Sequence, residues 1–81
     1  MRRTREEVAS FIDDFLSGSG GRWDWDGFTS VPIDGDTDLE AIRERSIDLP
    51  NRYPRRVPNE YCSEDGRIVL RQILANLKGP N

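Results

Sequence analysis

Histidine is absent from these 81 residues, cysteine and methionine occur once each, and only one of the twelve bases is lysine. Each absence removes some chemistry. Without histidine, no Cys–His pair can activate a nucleophile. Cys62, being alone, can form neither an intramolecular disulfide nor a thiolate metal cluster within one chain. No apolar run approaches the length of a membrane span. MRRTREEV runs straight into charge without the apolar core of a signal peptide, so a cytoplasmic protein is expected. A glycine-rich phosphate cradle is missing too: Gly18, Gly20 and Gly21 follow a helix and lack the lysine of that motif.

What is present fits one small domain over residues 1–81, with the first three and last three residues frayed. A chain of this size buries only ~60–65% of its unfolded surface, so its stability margin is thin. The 35% of hydrophobic residues include two Trp, three Phe and two Tyr, enough for a core. Fifteen acids against twelve bases give a net charge of -3. That balance offers no general attraction to nucleic acid or to anionic membranes.

The pattern predicts a mainly α fold of three principal helices, with a short Trp-bearing element between the first two. Thr4-Arg5-Glu6-Glu7 fits a capping box. Val8, Phe11, Ile12, Phe15 and Leu16 then recur at helical spacing, until the glycine-rich Ser17–Gly21 ends a helix over about 4–17. A second box, Thr37-Asp38-Leu39-Glu40, opens a helix over 37–49. Leu39, Ile42, Ser46 or Ile47, and Leu49 form its stripe, and Pro50 stops it. Residues 51–60 (NRYPRRVPNE) read as an irregular connection. Ser63 caps a helix over 63–78, with Glu64 and Asp65 in its positive first turn and Ile68, Val69, Leu70, Ile73, Leu74 and Leu77 along it.

The segment from Trp23 to Ile33 is open to two readings. Trp23-Asp24-Trp25-Asp26 alternates as a strand does, yet Asp24 could cap a short helix in which Trp25 and Phe28 share a face. A single short strand has no partner, which favours the helix.

Four groups of residues invite a chemical reading. The run Asp34-Gly35-Asp36-Thr37-Asp38 suggests calcium, but a loop starting at Asp34 puts Leu39 at the turn glycine and Arg45 at the closing glutamate. A turn followed by a helix cap accounts for the acids better, and no metal or other cofactor is expected. Cys62 precedes a helix start, where the dipole lowers a thiol pKa. With no base beside it, a small, half-buried apolar role is favoured. Arg52, Arg55 and Arg56 around Tyr53 could meet phosphates or stack on a base. The competing role is pairing with the acids between Asp24 and Asp38, which the net negative charge favours.

The last group is the stretch GRWDWDGFTSVPIDGDTDLE (21–40), which joins both tryptophans to six acids. Trp25 and Phe28 are expected to anchor the core, since buried aromatics each cover ~150–250 Å². Trp23, left at the surface beside Asp24 and Asp26, makes a hot spot for a basic partner. Fifteen acids always supply some carboxylate pair, but nothing fixes one across a pocket, so an enzyme is the less favoured class.

W-D-W-D-G-F (23–28), L-E-A-I-R-E-R (39–45) and Y-C-S-E-D-G (61–66) resemble stretches of short uncharacterised bacterial proteins, over roughly residues 20–77. The resemblance implies a free-standing small bacterial domain and carries no catalytic residue with it. The leading expectation is a non-enzymatic, immunity- or antitoxin-like protein-interaction module, presenting Trp23, Asp24 and Asp26 to a basic protein. No membrane or small-molecule ligand is implied. The alternative is a nucleic-acid-binding accessory protein using Arg52, Tyr53, Arg55 and Arg56.

Overall fold

The computed structural model describes residues 2–18, 22–58 and 60–79, and the side chains of residues 22–24 lie outside that description. Four helices follow one another: α1 (Arg5–Ser17), α2 (Arg22–Ser30), α3 (Thr37–Arg52) and α4 (Glu64–Lys78). Among the described residues there is no strand. The Trp-bearing element is therefore the short helix α2, set between α1 and α3. It begins at Arg22, so Asp24 falls inside it and is not its cap.

α1 opens as its sequence predicts. The Glu7 amide donates to the Thr4 hydroxyl at 3.1 Å, and the Thr4 amide donates to the Glu7 carboxylate at 2.9 Å. Gly18 closes the helix at φ 76°, a left-handed conformation open to glycine at little steric cost. Val8, Ala9 and Ile12 form its buried face.

The start of α3 departs from the expected box by one residue. Asp36 is the cap, and its carboxylate accepts from the amides of Asp38 and Leu39, each at 3.1 Å. Aspartate is among the best capping residues, and its use at 36 leaves Thr37 in the first turn. Glu40 is thereby freed to bond elsewhere. At α4, Ser63 does sit at the cap position, but its hydroxyl makes no capping hydrogen bond.

The end of α3 corrects a second expectation. The helix runs through Pro50 to Arg52. A proline inside a helix lacks the amide that would bond the carbonyl four residues back, here that of Ser46. The Tyr61 hydroxyl donates to this carbonyl at 2.8 Å. The Tyr53 amide then closes the final turn on the Leu49 carbonyl at 2.7 Å. With the orphaned acceptor satisfied from outside, the helix has no reason to stop at Leu49.

All four helices feed one core. Phe28, Ile12, Leu39, Leu70 and Val8 are its largest fully buried side chains. α1 and α2 meet through aromatic rings: Phe15 stacks on Trp25 at 4.2 Å and Phe11 on Phe28 at 5.3 Å. Tyr61 sets its edge against both Phe15 and Trp25, at 5.5 and 5.8 Å. The Arg3 guanidinium covers the outer side of Phe11 at 4.7 Å. α4 starts so close to the preceding segment that a Cβ on Gly66 would lie 2.7 Å from the Cys62 sulfur. Among the described residues, no helix is long and apolar enough to cross a membrane.

Candidate interaction surface

α2 carries the acidic, aromatic sequence, and its register sorts that sequence by burial. Trp25 and Phe28 share a face at i and i+3 and are 6% and 0% exposed, while Asp26 is exposed. The core reading of these two aromatics is correct. The side chains of Trp23 and Asp24, the other two residues expected on the interaction face, lie outside the described residues.

Behind this face is a polar latch that the sequence reading missed. Arg43 is 8% exposed, yet it stands on α3 in line with the buried Leu39 and Ser46. Its guanidinium donates twice to Glu40, at 2.7 and 2.6 Å, and once to the Thr29 carbonyl at the end of α2, at 2.6 Å. Glu40 also accepts the Ile33 amide at 2.8 Å. One ion pair thus joins α2, the loop after it and α3. The Arg43 hydrogen bonds, followed by the Ile33 amide, hold the Glu40 carboxyl down at about 2. The available signal was a charged residue inside an apolar stripe, three positions after an acid.

The acids of the α2–α3 loop serve local structure. Asp36 caps α3, and Gly35 turns the chain at φ 82°. The Arg2 guanidinium lies against Gly35, 3.3 Å from where a Cβ would stand. Basic charge thus reaches the acidic loop from the N-terminal arm, where pairing with the 52–56 arginines was expected. Among the described residues, no three acidic or cysteine side chains gather as a metal ion would need.

The arginine loop is engaged close to home. Arg52 pairs with Asp48 one turn earlier at 2.7 Å. Arg55 donates to the Pro58 carbonyl at 3.2 Å, and the Arg56 amide donates to Glu60 at 3.1 Å. Tyr53 packs partly buried against the core, and its carbonyl accepts the Ser63 amide. The aromatic at the centre of the cluster is thus turned inward, leaving Arg55 and Arg56 exposed without it.

Two further groups complete the picture. Cys62 is 1% exposed, more deeply buried than expected, and burial pushes its thiol pKa up, away from the nucleophilic thiolate. Burial also raises the Tyr61 phenol, whose ring stands edge-on to Trp25 at 5.8 Å. The Trp25 indole N–H opposes that rise, although it falls short of hydrogen-bond geometry and has no partner.

No family model, curated protein or solved structure matches this chain.

Proposed function

We propose that the protein is a non-enzymatic protein-interaction module, of an immunity, antitoxin or adaptor kind, that offers the acidic face of α2 to a basic partner protein. The observation that carries this reading is the division of labour within α2. Trp25 and Phe28 are sunk in the core and Arg43 clamps the end of the helix, so Asp26 is held in water on a fixed support. A rigid element bearing exposed charge suits recognition, because little conformational freedom is lost on binding.

The test compares two sets of variants against total host lysate and against generic DNA and RNA. Binding of a basic protein should weaken as salt rises, since exposed charges are screened over ~8–10 Å at ordinary ionic strength. Exchanging Asp24 and Asp26 for Asn should weaken it further, and Trp23→Ala should weaken it most. Arg55→Ala with Arg56→Ala should change little. Retention of nucleic acid that disappears with the two arginine changes would refute this reading and favour a nucleic-acid-binding accessory protein.

A further inference from the structure

Two arginines of this chain are covered to the same degree and held in opposite ways. The Arg43 side chain is 10% exposed and makes the three short hydrogen bonds of the latch. The Arg3 side chain is 9% exposed, yet its covered Nε has no hydrogen-bond partner. Glu7, its ion-pair partner, stands 4.0 Å away and half in water, and already accepts the Thr4 amide. What holds the Arg3 guanidinium is the Phe11 ring at 4.7 Å, a cation–π contact. Buried cations are ordinarily hydrogen-bonded as well as paired, so Arg3 is seated where Arg43 is locked. Arg2 beside it is exposed and lies against Gly35, which Asp34 and Asp36 flank in the chain. Residues 2 and 3 belong to no helix, α1 is capped at Thr4, and its buried face starts at Val8. The arm can leave its seat without undoing the helix.

We infer that this arm is an autoinhibitory contact: Arg2 and Arg3 fill a seat that takes an arginine-bearing segment of a partner protein, which must displace them to bind. The seat is the Phe11 ring together with the 34–36 loop. Its present occupant shows its chemistry. An aromatic face accepts a flat guanidinium, and a loop with two acids favours positive charge beside it. A partner segment with two adjacent arginines meets both features. It competes well because Arg3 gives up no hydrogen bond from its Nε on leaving. A seat filled from within lowers the apparent affinity for any outside segment by the fraction of molecules in which it is free, so weakly basic chains are turned away. The seat lies on α1 and the α2–α3 loop, and the inference does not depend on the exposed face of α2.

The test is a titration with the peptide MRRTR, a copy of residues 1–5, followed by nuclear magnetic resonance at the Gly35 amide and the Phe11 ring. The chain carrying Arg2→Ala with Arg3→Ala should bind it at least about tenfold more tightly than the native chain, as expected if the arm sits in place in about nine molecules of ten. Added salt should weaken the binding. Circular dichroism of this variant should be that of the native chain, because the Thr4 cap and the core are untouched. Arg3→Gln, which keeps a cover over Phe11 without the charge, should show a smaller gain in the same direction. Arg55→Ala with Arg56→Ala removes as much charge from exposed positions elsewhere, and should bind as the native chain does. Equal binding by the native chain and the arm variant would overturn the inference, as would an equal gain from the 55 and 56 changes or no binding by any chain. Peptide shifts at Asp26 with none at Gly35 or Phe11 would overturn it too, while leaving the reading of α2 in place.

Discussion

Helix α3 carries two acid–arginine pairs less than three turns apart, and their distances are nearly equal. Glu40–Arg43 closes at 2.6 Å and Asp48–Arg52 at 2.7 Å. Their surroundings differ. The side chains of the first pair are 24% and 10% exposed, those of the second 43% and 74%. Arg43 also bonds Thr29 and Glu40 also bonds Ile33, so the first pair ties three segments together. Arg52 and Asp48 bond within their own helix end, where water competes for every donor. A short distance does not tell a structural pair from an ornamental one. Burial and the number of segments joined do.

The contrast can be broken or sharpened experimentally. The upper end of the scale is Trp25→Ala, which removes the aromatic anchor of α2 and should cost ~3–5 kcal/mol in urea unfolding. An unchanged melting curve would mean that α2 is held by the latch alone. Arg43→Ala comes next, at about 2–4 kcal/mol, because it strands the Thr29 carbonyl and the largely covered Glu40 carboxylate. Arg43→Lys should recover only about 1 kcal/mol of this, since an ammonium cannot donate to both Glu40 oxygens and Thr29 in the same fork. Full recovery would show that charge alone suffices.

Acid sharpens the comparison without mutation. Glu40 titrates at about 2 in the folded chain against a usual 4.5. A depressed carboxyl contributes stability that is present above 4.5 and is lost as pH falls toward 2. Unfolding followed by tryptophan fluorescence should weaken through that window, and Glu40→Gln should flatten the dependence. Asp48 is also lowered, by Arg52 first and then Asn51. Its exposure means that added salt should erase its share first. The smallest effect is Arg52→Ala, expected at ~0.5 kcal/mol or less.

The two pairs also mark how far the sequence could be read. The three long helices, the Thr4 cap and the burial of Trp25 and Phe28 follow from spacing, because apolar periodicity and capping chemistry are local. The latch is not local. Arg43 looks like an ordinary surface base until Thr29, fourteen residues earlier, is folded against it. The same limit applies to the end of α3, where Pro50 signals a stop to any reader of neighbours. Ile68, by contrast, sits in an apolar run that reads as core throughout, and only the direction of α4 shows it facing water. For the proposed face on α2, the exposure of Asp26 was legible, but the packing of Tyr61 against Trp25, thirty-six positions earlier, was not.

The tyrosine that takes over the Ser46 carbonyl also bears on the order in which the chain folds. Elsewhere in a helix, each carbonyl finds its amide four residues away, within tens of nanoseconds of nucleation. At Ser46 the partner lies fifteen residues away, past the whole 53–60 connection. Closing a loop of that length costs entropy before any bond is gained. The last turn of α3 therefore has no complete form of its own while the chain is still open. It is finished only when the segment leading into α4 arrives, which makes the helix end a late and cooperative event. Substitutions at Tyr61 should speed unfolding and leave the folding rate nearly untouched.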